Sequence, residues 1–164
     1  MRQWIVLLAV LWSVAGCDIL SPPAASVPSE PVVQTDSQAL RRWFDVSALP
    51  PTQQVQWIQQ VLGMPSSVPG PTDYYILAVL EYDQPTAPFA EQLSLASHPD
   101  VVVSADFLRS WMPAAVVDSF AETADGNRRF TGTAYAAGEL LMSPLAAGYI
   151  LLVENYMVIY GFTM

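Results

Sequence analysis

Residues 74–82 read Tyr-Tyr-Ile-Leu-Ala-Val-Leu-Glu-Tyr, and this stretch decides the fold class. It is aromatic and aliphatic and carries no helix stop signal, which predicts a strand. Alternation puts Tyr74, Ile76, Ala78, Leu80 and Tyr82 on one face, with Tyr75, Leu77, Val79 and Glu81 on the other. Both faces are largely apolar, so the strand belongs at the centre of a sheet covered on each side.

The C-terminal third extends that sheet. Arg129 to Ala136 mixes polar and apolar residues, with Thr131, Thr133 and Tyr135 on one face, and Tyr149 to Val153 and Tyr156 to Phe162 are two further β-rich runs. Glu154-Asn155 separates them; a tight turn there would set Val153 beside Tyr156 and Tyr149 near Tyr160, with Asn supplying the tolerance for positive φ. Elsewhere the spacing predicts helices. Gln38 to Phe44 makes a short turn. Thr52 caps a helix running to Leu62, with Val55, Ile58, Val61 and Leu62 on one face and Gly63 as its stop. Residues 65–71 are a Pro/Gly/Ser loop. Ala87 to Ala96 predicts a helix, and Ser104 caps another with the stripe Phe107, Leu108, Trp111 and Met112, kinked or restarted at Pro113. Residues 115–123 fit helix or strand, and Asp125-Gly126 is turn chemistry in either case. The expectation is a single α+β domain over residues 39–164, its helices packed on a mainly antiparallel sheet that ends in a C-terminal β-meander.

Composition sets outer limits. The chain has 164 residues, 52% of them apolar and 13% charged, enough for one ordinary domain and too apolar for a long disordered chain. Six Lys and Arg residues, all of them arginine, face fifteen acids. That balance argues against nucleic acid as a partner, because phosphate neutralisation needs a basic face. A single cysteine excludes an internal disulfide framework and any CxxC site.

That cysteine lies at the end of Met1 to Cys17, MRQWIVLLAVLWSVAGC. Arg2, an apolar run from Trp4 to Leu11 and the small residues Ala15 and Gly16 have the layout of a secretory signal peptide, and the run is shorter than the roughly 20 residues that span a bilayer. Val14-Ala15-Gly16-Cys17 resembles the lipobox of bacterial lipoproteins. The resemblance implies cleavage of residues 1–16, a diacylglycerol thioether on Cys17 and acylation of the new amino group, which together anchor firmly where one chain would not. Asp18 resembles an inner-membrane retention signal, so the resemblance favours the periplasmic face of the inner membrane over the outer membrane. Cleavage would remove Arg2 and leave five arginines against fifteen acids, a net charge of −10 that anionic headgroups repel. Residues 17–38, rich in Pro, Ser and Ala, read as an extended tether; about 3 Å per residue gives up to roughly 60 Å of reach.

Motifs for chemistry are sparse. His98, the sole histidine, sits in Ser97-His98-Pro99-Asp100 and reads as a turn residue. No GxSxG elbow, phosphate-binding glycine loop or HExxH pattern occurs, and the lack of lysine excludes Schiff-base chemistry. No cofactor or metal site is expected. Glu81 and Asp83, on one side of a strand end, are the pair to test for carboxylate catalysis, whereas Glu139 and Glu154 stand alone near turns. Arg128 and Arg129 fit either a grip on a partner's carboxylate or phosphate, or the commoner task of pinning a strand to acids such as Asp125. Tyr149, Tyr156 and Tyr160 are the candidates for a partly exposed aromatic stripe.

The leading expectation is therefore a lipid-anchored, acidic, non-catalytic module of the cell envelope that binds another protein, as an accessory of an envelope assembly or as an inhibitor or immunity-type protein. Its membrane contact would be the N-terminal lipid. The competing classes are a carboxylate enzyme acting on cell-wall glycan and a glycan or small-ligand binder.

Overall fold

The computed structural model describes residues 31–62 and 73–163. Cys17 and Asp18, the lipobox and the loop at 65–71 lie outside them. Among the described residues the fold is mainly β, which overturns the α+β expectation. Strands β1 (Gln54–Val61), β2 (Tyr74–Glu81), β6 (Ala134–Ala136), β7 (Ala147–Val153) and β8 (Tyr156–Phe162) form a sheet in the order β1-β2-β8-β7-β6. A second, smaller sheet has the order β3-β5-β4, from Val102–Val103, Arg128–Phe130 and Phe120–Glu122. Every strand pairing is antiparallel.

Among the described residues, helix is confined to α1 (Ser37–Leu40), α2 (Ala114–Asp118) and a few 3₁₀ turns. No helical layer packs on the sheet: α1 and α2 each bury one residue, Leu40 and Val116. None of the described helices is long and apolar enough to cross a membrane.

The segment expected as a helix from Thr52 to Leu62 is β1, paired over its whole length with β2. Val55 and Trp57 go to one face of the sheet and Ile58 to the other. The helix expected at 87–96 is a 3₁₀ segment, Ala87–Gln92, and the one expected after Ser104 is a single 3₁₀ turn, Ala105–Phe107. Helix proper starts only after Pro113, whose fixed φ suits a helix start. Residues 115–123 divide between α2 and β4.

Two cores lie on the two faces of the large sheet. Ile76, Ala78, Leu80, Ile150, Met157 and Ile159 meet Leu40, Phe44, Leu140 and Leu145 on one face. Leu77, Val79, Leu151 and Val158 meet Phe107, Met112, Val116, Phe120 and Phe130 on the other. The small sheet and the turns around it thus supply the second cover, so β2 is buried on both faces, matching its unbroken apolar run.

The β7–β8 hairpin has the register its sequence implies, Val153 opposite Tyr156 and Tyr149 opposite Tyr160. The positive φ falls on Glu154, at 50°, and not on Asn155. Asn155 instead donates from its side-chain amide to the Tyr82 carbonyl at 3.2 Å. Gly126, at φ 80°, makes the turn between β4 and β5. Gln34 exchanges backbone hydrogen bonds of 2.8 and 2.9 Å with Trp57, and Asp36 caps α1, so residues from 34 onward join the fold ahead of position 39.

Candidate functional site

A concavity is built on the Leu77 face of the large sheet, at the end away from the β7–β8 turn. Register brings Gln60 beside Tyr75 and Tyr149 beside Tyr160, while Tyr160 also neighbours Leu77. Four strands therefore present three phenols and one amide to the same space. The opposite wall is the segment from Asp100 to Phe107. β3 holds that segment to β5, and the Phe107 amide donates to the Ser104 carbonyl at 3.0 Å, closing the turn that aims the Phe107 ring inward. The result is a cavity of about 360 Å³, lined among others by Gln60, Tyr75, Tyr149, Tyr160, Asp100 and Asp106.

Its aromatic wall is angular. Tyr160 has ring centroids 5.4 Å from both Tyr75 and Phe107, tilted at 54° and 76° respectively. Its polar wall is a small network. The Tyr75 hydroxyl donates to Gln60 Oε1 at 2.7 Å, and Arg109 Nη2 donates to the Tyr75 oxygen at 2.8 Å and to Gln60 Oε1 as well. Arg109 Nε is buried and has no hydrogen-bond partner among the described residues.

Burial pushes the Tyr75 phenol above its ordinary pKa, against the opposing pull of the Arg109 hydrogen bond and charge. Burial, reinforced by the neighbouring Tyr75 and Tyr149 phenols, raises Tyr160 too. Both rings therefore stay neutral near pH 7. They can donate and accept hydrogen bonds and present π faces, but they supply no phenolate.

The expected site residues are separated by this arrangement. Tyr149 and Tyr160 meet in the cavity and are half-buried. Tyr156, at the other end of β8, lines a distinct cavity of about 120 Å³ together with Trp111 and Glu81. Glu81 is the one carboxylate in that lining; Asp83 is exposed and accepts from the Gln53 side-chain amide. The two acids thus do not share this cleft.

Arg128 pairs with Glu122 at 3.1 Å and Arg129 with Asp100 at 3.3 Å. Asp125 takes neither arginine. Its carboxylate accepts from the Thr123 hydroxyl and, at 2.8 Å, from the Asn127 amide, which hold its pKa below the usual carboxylate range. His98 is exposed, with Nδ1 3.2 Å from the Ser97 hydroxyl. Glu139 and Glu154 are exposed at turns. No group of three His, Cys, Asp or Glu gathers to hold a metal ion among the described residues.

Sequence reasoning missed Gln60, Tyr75, Asp106, Phe107 and Arg109 as site residues. One signal was present: Tyr75 shares a strand face with Leu77 and Val79, and a phenol on a buried face needs a hydrogen-bond partner. Comparison of the chain with protein-family models, with curated proteins and with solved structures gives no match.

Proposed function

We propose that this chain is a non-catalytic binding module, anchored in the cell envelope through acylated Cys17, and that its partner is a protein held at the tyrosine-lined cavity. The observation that supports the reading is the Tyr149–Tyr160 cross-strand pair, which opens into a cavity of about 360 Å³ instead of closing into core. Half-buried tyrosines at the edge of a concavity offer a large apolar area and a hydroxyl at low entropic cost, the qualities of an interface anchor. The lipid and the stretch preceding residue 34 would set the module off the membrane, toward partners in the same compartment.

A second reading, a small-ligand or glycan binder, draws on the same cavity, whose volume falls at the low end of the range for ligand sites. Rings tilted at 54° and 76° present no single flat face for a sugar to stack on, which favours the protein reading.

In-cell crosslinking of the full chain, with partners identified by mass spectrometry, tests the proposal. The expected result is one stoichiometric protein partner, reduced by Cys17→Ser and reduced again by Tyr149→Ala, with Tyr156→Ala as the comparison that retains it. Crosslinking that ignores Tyr149→Ala would remove the cavity from the reading; recovery of glycan and no protein would replace the reading with the second one.

A further inference from the structure

The smaller cavity, at the end of the large sheet nearest the β7–β8 turn, differs from the tyrosine cavity in its electrostatics. Its volume is about 120 Å³, and Gln54, Gln56, Glu81, Trp111 and Tyr156 are among its lining residues. Strand register builds its floor. Glu81 closes β2, with Gln54 of β1 opposite it on one side and Tyr156 of β8 opposite it on the other. Trp111 lines the cavity from the segment just ahead of α2.

Glu81 is half-buried, and among the described residues its carboxylate has no ion pair and accepts no hydrogen bond; the neighbouring Gln53 amide goes to Asp83 instead. The arginines are placed elsewhere. Arg128 and Arg129 are held by Glu122 and Asp100, and Arg109 is engaged with Tyr75 and Gln60 at the far end of β2. Arg41 and Arg42 follow α1, whose Leu40 packs on the opposite face of the sheet. The other acids of this end, Asp83 just after β2 and Glu154 in the β7–β8 turn, are exposed and reinforce the sign. Trp111 and Tyr156 are half-buried, and among the described residues neither ring is engaged by another aromatic ring. An unpaired carboxylate between an indole and a phenol attracts an organic cation, through its charge and through the ring quadrupoles. The side-chain amide oxygens of Gln54 and Gln56 offer further acceptors.

From these observations we infer that this cavity binds a small organic cation with an ammonium or guanidinium head, held by Glu81 and flanked by Trp111 and Tyr156. The inference goes beyond the protein-binding reading above and does not rest on it. Size and rim favour a free molecule over a partner's side chain. The volume lies well below the roughly 300 Å³ at which drug-sized ligand sites begin, so it takes a head group and little more. None of the exposed large apolar side chains among the described residues lines it, whereas Leu62 and Val102 line the tyrosine cavity. A protein contact here would lack the apolar surround that keeps water out.

The test is an NMR titration of the full chain in uncharged maltoside micelles, following the tryptophan indole and tyrosine ring signals. Three probes are compared: choline, its uncharged isostere with carbon in place of the quaternary nitrogen, and acetyl-lysine methylamide. Choline should bind at least about tenfold more tightly than the isostere, and at least as tightly as the lysine amide. Glu81→Gln should weaken choline at least about fivefold, and Trp111→Leu and Tyr156→Leu about threefold each. Glu139→Gln, the same change of charge at an exposed turn, should leave it unchanged. Glu81→Gln keeps the size and shape of the side chain, so the test remains valid if Trp111→Leu does not fold.

Equal binding of choline and its isostere, or binding of neither, overturns the cationic ligand. Unchanged choline affinity in Glu81→Gln, or an equal loss in Glu139→Gln, overturns Glu81 as its anchor. Tighter binding of the lysine amide than of choline overturns the free molecule as the source of the cation. A crosslinked partner that depends on Tyr149 is indifferent to all of these results, so the protein-binding reading and this inference fail separately.

Discussion

Gly148 on β7 faces Gly161 on β8, and this pair is where the large sheet is least tolerant of an added atom. A Cβ at Gly148 would overlap the Tyr160 carbonyl oxygen and lie 3.0 Å from Gly161 Cα. Both obstacles are backbone, so no side-chain rotation relieves them and the two strands must move apart. A Cβ at Gly161 would instead meet Leu145 Cδ1 and Phe44 Cε1 at 2.9 Å each. Those are tips of core side chains, although Phe44 is fully buried and has little room to yield. At Gly138 nothing lies within 4 Å. Overpacking costs about 1–3 kcal/mol, and the backbone clash puts Gly148→Ala at the upper end, about 3 kcal/mol, with Gly161→Ala at about 1–2 kcal/mol. Gly138→Ala should be neutral or gain about 0.5 kcal/mol by restricting the unfolded chain. Urea unfolding followed by tryptophan emission reads these changes, with the buried Trp57 as reporter. With an m-value of about 2 kcal/mol/M, Gly148→Ala should lower the midpoint by about 1.5 M. A Gly148→Ala midpoint equal to that of the wild type, or no lower than that of Gly138→Ala, would refute the placement of β7 against β8.

Thr86 is a buried hydroxyl that donates to the Glu154 carbonyl at 2.9 Å and also lies 3.3 Å from the Tyr156 carbonyl, tying a loop to the β7–β8 turn; Thr86→Val should cost about 1–2 kcal/mol in the same unfolding assay, whereas no loss would show the tie to be dispensable. Glu154 is exposed and sits at φ 50°, which L-residues other than Asn and Asp disfavour, so Glu154→Asn should stabilise by up to about 1 kcal/mol, and destabilisation would argue against the left-handed turn. Burial pushes the Tyr82 phenol up to about 12. The unfolded chain loses that proton near pH 10 and the folded one only near 12, so this contribution is complete below pH 10 and declines as pH rises through that interval. Tyr82→Phe should therefore leave stability at pH 7 nearly unchanged and flatten its decline between about pH 10 and 12; an unaltered slope would mean that Tyr82 does not carry it.

The strand at 74–82 and the final hairpin were legible because local chemistry and tertiary role agree in them. Ile76 and Ala78 face one core and Leu77 and Val79 the other, as alternation within an unbroken apolar run implies. In the hairpin, two β-rich runs leave room for one tight turn, and the turn sets the register. β1 was misread for a related reason. A strand that buries Val55 and Trp57 on one face and Ile58 on the other loses the alternation that marks a half-buried strand. Val55, Ile58, Val61 and Leu62 then fall at helical spacing, and the surrounding glutamines are good helix formers. Pairing with β2 overrides that propensity, because the exposed side of so apolar a strand needs a neighbour.

The same misreading hid the cavity. Gln60 becomes a partner of Tyr75 only if β1 pairs with β2, since the hydrogen bond joins residues fifteen positions apart. On a helix, Gln60 would be one of several solvated amides. Phe107 was likewise assigned to a helical stripe, where it has no reason to approach Tyr160, and Arg109 was given no role. What brings them there is the pairing of β3 with β5, two very short strands whose combination no local periodicity signals. Tyr149 and Tyr160 could be named from the hairpin register alone, but whether two adjacent tyrosines close into core or stand open depends on the cover over them. Here the Phe107 ring packs against Tyr160, and Tyr149 lines the cavity beside it. The tyrosine pair is thus readable from the local sequence, and the cavity it borders is a property of the long-range pairing.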